Sequence, residues 1–140
     1  MIDIENDVFE MVASAVETAF PNAKVHNAYT DQPAAFPCVT VAEADNTVLQ
    51  KMRTDNIENA ASVMYEVNVF SNNGANKKSE AKSIINLIDS TFLSHGFTRS
   101  MKTQVPNFAD RKIYRIVARY KAVVGPGATN GTFLIYQNDS

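Results

Sequence analysis

The chain has 140 residues, of which 45% are hydrophobic and 20% are charged, as is typical of one soluble globular domain with a sizeable core. Its single cysteine, Cys38, excludes an internal disulfide and a zinc site built from several cysteines. No apolar run is long enough to cross a bilayer, and the acidic amino terminus is unlike a signal peptide. These features predict one domain over residues 1–140, made in the cytoplasm and without membrane contact.

Charge is distributed unevenly along the chain, although the net charge is only −2. Residues 1–50 contain eight acidic residues and one basic residue, whereas residues 51–140 contain twelve basic and seven acidic residues. A chain whose first part is acidic and whose second part is basic can attract copies of itself head to tail. Alternatively, the two sets interleave on one solvated surface.

Residues 4–20 predict an amphipathic helix that ends before Pro21, with Asp3 as its N-cap. Acidic residues cluster in and before its first turn, where the helix dipole favours negative charge, so the cluster predicts a solvated helix end rather than a metal site. The apolar face consists of Ile4, Val8, Met11, Val12, Ala15 and Ala19.

Two short strands are predicted next, over residues 23–29 and 38–44, with a proline-bounded loop between them. Cys38 opens the second strand and lacks the cationic or helix-terminal setting of a reactive thiol, so we expect it to be inert. Residues 46–60 are polar, show no clean period and contain Lys51 and Arg53. They predict a protruding loop or hairpin tip.

A longer strand is predicted over residues 61–70 and a second helix over residues 77–95. Glu66 lies on the polar side of that strand, opposite Val63, Tyr65, Val67 and Val69. The helix ends at His95-Gly96, where glycine suits the left-handed position after a helix. Its buried stripe is predicted to be Ala81, Ile84, Ile85, Ile88 and Phe92.

The longest strand pattern covers residues 111–124 and follows a predicted strand over residues 97–104. One side of it is apolar, and the other side carries Arg115, Arg119 and Lys121. If it is an antiparallel neighbour of strand 61–70, Glu66 faces Arg115 or Arg119. Fourteen extended residues span roughly 45 Å, so the strand either bends or overhangs its own domain and offers unpaired backbone to a partner.

These elements predict an α+β fold: one largely antiparallel sheet with both helices packed on its apolar face. Residues 125–140 form a carboxy-terminal extension with a short strand over 132–137. No phosphate loop, nucleophile elbow, carboxylate pair or metal-ligand spacing is present. The sequence therefore predicts a protein that is not an enzyme and that binds no metal or cofactor.

Three segments carry a family resemblance: MYEVNVFSN at 64–72, KKSEAKSIINLIDSTFLSHGFTRS at 77–100 and VPNFADRKIYRIVARYKAVV at 105–124. With the stretch at 33–46, they resemble the tail terminator (tail completion) proteins of long-tailed bacteriophages. The resemblance implies an α+β subunit that forms a ring, usually hexameric, which caps the tail tube and ends its polymerisation. It further implies a head-connector docking surface, DNA passing through the lumen without sequence-specific binding, and a place at the head-proximal end of the virion tail.

The resemblance supplies no site residues, so the candidate subunit or tube contacts come from the strand pattern: Glu66, Arg115, Arg119 and Lys121, with Lys51 and Arg53 on the predicted loop. Salt bridges across the sheet or across a subunit boundary are the expected role of the cations, and phosphate contact is the alternative. Two other functions stay open. One is a head-closure or adaptor protein of the head–tail joint, and the other is a small ligand-binding α+β module.

Overall fold

A computed structural model of the chain describes residues 3–30, 33–48, 61–106, 112–125 and 135–137. Its strands form one sheet and are numbered here in chain order: β1 (Lys24–His26), β2 (Cys38–Val48), β3 (Ala61–Ser71), β4 (Thr98–Gln104), β5 (Tyr114–Val124) and β6 (Ile135–Gln137). The order across the sheet is β1-β2-β3-β5-β4, and β6 pairs with β5. The pair β1–β2 is parallel and the other pairs are antiparallel, so the predicted fold class is confirmed.

Two helices, α1 (Glu5–Ala19) and α2 (Lys77–Ser94), pack on one face of this sheet. Alternation in β3 and β5 sends every second side chain toward them, which is why both strands bury an apolar row. The predicted stripe of α2 is confirmed, because all five of its residues are buried. The centre of the core is aromatic: Phe92 stacks on Tyr120 with ring centroids 4.2 Å apart, and Phe97 meets Phe92 edge-on at 5.2 Å.

Both ends of α1 differ slightly from the prediction. The N-cap is Ile4 rather than Asp3, although the Asp3 carboxylate still accepts a hydrogen bond from the Glu5 backbone N–H at 3.1 Å. Val16, which the predicted apolar face omits, is buried, and Ala19 is exposed. Val16 continues the i, i+4 row of Val8 and Val12, so the buried stripe follows this row to the last turn of the helix.

Two predicted strand boundaries are wrong. β1 covers only Lys24–His26 instead of residues 23–29, and β2 continues to Val48 instead of ending at residue 44. Residues 46–48 were predicted to be loop, but they pair with Val63, Ser62 and Ala61 of β3. Thr47 and Val48 suit a strand, and hairpin register carries Asn46 along with them. The rest of the predicted loop, with Lys51 and Arg53, lies outside the described residues.

The expected overhang of the longest strand is also wrong. β5 begins at Tyr114 rather than at residue 111, and all eleven of its residues pair with the eleven residues of β3. Its other side pairs with β4 from Ile116 to Lys121 and with β6 at residues 123–124. β5 is therefore a central strand. A short strand in the carboxy-terminal extension is confirmed as β6, and residues 126–134 and 138–140 lie outside the described part of the chain.

Candidate interaction surface

The sheet face opposite the helices divides into a covered end and an open end. At the covered end, Phe36 from the described part of the segment between β1 and β2 packs over the sheet, where Phe70, Cys38 and Ile113 are buried. Tyr29 of the same segment meets the Phe70 ring at a centroid distance of 6.3 Å. This small second core explains why side chains on this face are buried where no helix covers them.

Arg115 lies at the boundary between the two ends and is held by two aromatic rings. Its guanidinium carbon is 5.1 Å from the centroid of the Tyr29 ring and 5.8 Å from that of Phe70. Both distances are in the range of cation–π attraction. Its Nε also donates a hydrogen bond to Asn68 Oδ1 at 2.9 Å. Arg115 is therefore built into the subunit and is only half exposed.

A chain of polar contacts continues from Arg115 across β3 and β5. Asn68 Nδ2 donates to Glu66 Oε2 at 3.3 Å, and Glu66 Oε1 accepts from Arg119 at 3.0 Å from Nε and 2.9 Å from Nη2. Glu66 and Arg119 are direct cross-strand partners, so the predicted pairing of Glu66 with an arginine of strand 111–124 is confirmed. We call these four residues, Arg115, Asn68, Glu66 and Arg119, the polar ladder.

The open end of the face begins where the polar ladder stops. Lys121 is exposed there, with Met64 of β3 on one side and Thr98 of β4 on the other as its register partners. Met64 and Met101 are half-buried and supply an apolar floor. We call Met64, Met101, Arg119 and Lys121 the open patch. It combines two cations with flexible apolar side chains, a composition suited to contact with another protein surface.

Four of the six candidate residues share one sheet face but differ in exposure, and the other two, Lys51 and Arg53, lie outside the described residues. Glu66, Arg115, Arg119 and Lys121 all lie on that face, and Arg119 and Lys121 project most into solvent. Their role as contacts remains a prediction. Tyr29 joins the site from a loop, where no periodic signal predicts it. The alternation of the strands also did not predict that Asn68 links Arg115 to the Glu66–Arg119 pair.

Both outer edges of the sheet carry features that discourage strand addition. The outer side of β2 pairs with β1 only from Cys38 to Thr40, and no other strand in the described ranges pairs with that side. β2 has a bulge between Glu43 and Asp45, and β4 has one between Arg99 and Met101. Bulges and inward-facing charges at an edge disrupt the regular pairing that another strand needs.

Glu43 is the inward-facing charge on β2, because its register partner Tyr65 faces the core. Tyr65 Oη and Asn46 Nδ2 both donate to Glu43 Oε1 at 3.2 Å. Burial raises the pKa of the Glu43 carboxyl, the two hydrogen bonds oppose that rise, and the nearby carboxylates Glu5 and Asp3 add to it. The fold therefore tolerates this charge at some cost in stability.

The opposite side of the molecule is formed by the helices, of which α1 is acidic and α2 carries three lysines and two acids. α1 contains four carboxylates and no basic residue. Two shallow depressions lie on it. One, of about 470 Å³, follows the outer surface of α1 past Phe9 and Glu17. The other, of about 440 Å³, lies between α1 and α2 and is lined by Asp7, Glu10, Met11, Ser14, Ala15, Thr91 and His95. We call the second one the interhelical groove.

A further cavity of about 520 Å³ lies where α1 ends and β3 leads into α2. Its walls are Phe20, Phe36 and two prolines, and its polar rim includes Glu80. The Glu80 carboxylate already accepts hydrogen bonds from Ser71 Oγ at 2.6 Å and from Asn73 Nδ2 at 3.4 Å. These bonds tie the end of β3 to the first turn of α2, so this carboxylate has a structural role in the subunit.

Three further observations concern the ranges 3–30, 33–48, 61–106, 112–125 and 135–137. Within those ranges, no group of three or more His, Cys, Asp or Glu side chains is arranged to hold a metal ion. None of the helices there is long and apolar enough to span a membrane. Cys38 is buried, and burial raises the pKa of its thiol to about 11. A thiol of this kind is almost entirely protonated at neutral pH.

The chain matches none of the known protein-family models, and no curated protein is significantly similar to it in sequence.

Proposed function

We propose that the chain is a structural virion subunit of the tail terminator type, which forms a ring on the head-proximal end of a phage tail tube. The observation that carries this proposal is the open patch. It is a cationic and apolar sheet face that neither described helix covers, in a subunit whose two sheet edges are disrupted by bulges. Such a subunit is suited to associate through its faces. The family resemblance of residues 64–124 supplies the biological setting.

The proposed partners follow from this setting. Copies of the chain contact one another around the ring, one rim of the ring contacts the tail tube protein, and the other rim receives the head-completion or connector protein. DNA passes through the lumen without sequence-specific binding. The proposed role requires no catalysis, metal or cofactor. The ring acts by covering the end of the tube, so that no further tube subunits can add.

The acidic surface of α1 and the cationic open patch support ring closure over a symmetric dimer. They lie on opposite sides of the sheet and have opposite charge. Two unlike surfaces that attract each other make a head-to-tail contact, and such contacts close into rings when the rotation between successive copies permits it. A symmetric dimer would instead place like charges together at each of these surfaces.

Two other functions remain as competing proposals. A head-closure or adaptor protein would use the same surfaces but would bind the portal side of the joint, so it would be found on heads that lack tails. A ligand-binding module is favoured by the cavity of about 520 Å³ beside Phe20 and Phe36. Against it, the Glu80 carboxylate in that cavity is already engaged by Ser71 and Asn73.

The experiment that tests the proposal measures the mass of the purified protein by light scattering, with negative-stain images of the same peak. The protein is then mixed with tail tubes of the phage that carries the gene, and with heads that lack tails. Rings in solution, or rings seen only at tube ends, are the expected result. Binding to tail-less heads alone would favour the adaptor. A monomer that binds neither would overturn the proposal.

A further inference from the structure

The interhelical groove has the chemistry of a receptor for a long cationic side chain. Asp7 and Glu10 place carboxylates on it, and Met11 and Ala15 give it an apolar floor. Lysine and arginine side chains prefer this combination, because the alkyl stem packs on apolar surface while the charged group reaches a carboxylate. α1 contains no cation to neutralise these acids, and the one basic residue that lines the groove among the described residues is His95 at the end of α2, whose Nδ1 donates to the Thr91 carbonyl oxygen at 2.8 Å.

Lys121 on the opposite side of the subunit has the matching chemistry. It is exposed at the middle of the open patch, and no ion pair is recorded for it within the described ranges. Its neighbour Arg119 is partly neutralised by Glu66 at 2.9 Å, so Lys121 carries the uncompensated charge of the patch. The half-buried Met64 beside it provides apolar surface that can pack against the rim of a groove.

We propose that Lys121 of one copy enters the interhelical groove of the next copy and pairs there with Asp7 and Glu10. The occupant of the open patch is thus the α1–α2 surface of a second copy of this chain. The ring expected from this contact rests on the proposed function, whereas the contact itself requires only two copies. It leaves the rims of the molecule, which are formed by the strand ends, for the tube and the connector.

The test uses two opposite charge reversals, Glu10→Lys in the groove and Lys121→Glu in the patch. Both residues are exposed, so we expect both variants to fold, which circular dichroism and the unfolding midpoint will verify. Each variant alone brings like charges together at every contact, and we expect its self-association to weaken by about tenfold or more. When the two variants are mixed and alternate around a ring, every contact joins opposite charges. The reversed groove of one variant faces the reversed patch of the other, and at the next contact the unchanged patch faces the unchanged groove. An alternating ring with an even number of subunits should form again.

Matched controls carry the same charge change elsewhere on the subunit. Glu17→Lys alters an exposed acid of α1 that does not line the groove, and Lys102→Glu alters an exposed cation of β4 that lies outside the open patch. We expect both controls to associate like the wild type, in solution or at tube ends. Their mixture should show no gain over either control alone.

The outcomes separate this inference from the proposed function. Wild-type rings that persist unchanged in Glu10→Lys and Lys121→Glu would overturn the groove contact and leave the proposed function standing. Loss of association in both variants without recovery on mixing would also overturn it. Self-association that recovers on mixing, but with neither rings nor tube binding in the wild type, would support the contact and overturn the tail function. No self-association at all would overturn both.

Discussion

Removing the hydroxyl of Tyr120 tests the contribution of one hydrogen bond in the core to stability. Tyr120 is fully buried, its ring stacks on Phe92 with an interplanar angle of 4°, and its Oη donates to Asp89 Oδ1 at 3.1 Å. The same oxygen of Asp89 pairs with Arg99 at 3.1 Å. Tyr120→Phe removes the hydroxyl alone and leaves the stacked ring and the Asp89–Arg99 pair in place.

The expected loss follows from the kind of hydrogen bond that is removed. Hydrogen bonds to charged groups contribute about 1.5–3 kcal/mol to stability. The Asp89 side chain is 18% exposed and keeps its arginine partner, so the loss should fall at the low end of this range, at about 1.5 kcal/mol. For a chain of this length, a loss of that size lowers the midpoint of thermal unfolding by about 5 °C.

Urea unfolding followed by circular dichroism measures the loss, at a protein concentration where light scattering gives the monomer mass. Tyr114→Phe is the matched control. Tyr114 lies on the same side of β5 and is half-buried, and within the described ranges no hydrogen bond is recorded for its hydroxyl. We expect the control to change stability by less than about 0.5 kcal/mol. Equal losses in the two variants, or no loss in Tyr120→Phe, would refute the reasoning.

Three further predictions concern single residues. Because the pKa of Glu43 is raised in the fold, ionisation of this carboxyl costs stability as pH rises above its ordinary pKa of 4.5. The Glu43→Gln variant should therefore unfold at a higher urea concentration than the wild type at neutral pH. The two urea midpoints should converge as pH falls toward 4.5. Equal midpoints at every pH would contradict it. Cys38 should react with a thiol reagent at least roughly a hundredfold more slowly in the native protein than in the urea-unfolded chain, and equal labelling rates would show that the thiol is accessible. Gly96 has a φ of 89°, so Gly96→Ala should cost about 1 kcal/mol and Gly96→Asn less, whereas the reverse order would argue against a left-handed helix end.

Periodicity predicted the elements whose two faces differ most. The stripe of α2 and the alternation of β3 and β5 were predicted correctly, because each buries one apolar side against a partner and the charged residues of β3 and β5 lie on the other side. The Glu66–Arg119 pair followed from the same alternation once the two strands were assumed to be neighbours. Local pattern thus sufficed wherever the environment of a residue repeats along its own element.

The features that the sequence did not predict depend on residues far apart in the chain. β2 continues through polar residues because β3 extends beside it, and β5 fails to overhang because β3 has the same length. Tyr29 reaches Arg115 from a loop, and the Tyr120 hydroxyl meets Asp89 of α2. None of these contacts leaves a periodic trace, since each depends on tertiary placement rather than on spacing along one element.

The central position of β5 has a consequence for biosynthesis. β3 is synthesised early, but its partner on that side, β5, emerges from the ribosome only after α2 and β4. Until then an eleven-residue edge of β3 has no native strand to pair with, and its row of valines is exposed to other nascent chains. Closure of the sheet is therefore a late, long-range event, and newly made copies should become competent to meet one another only after residue 124 has been added.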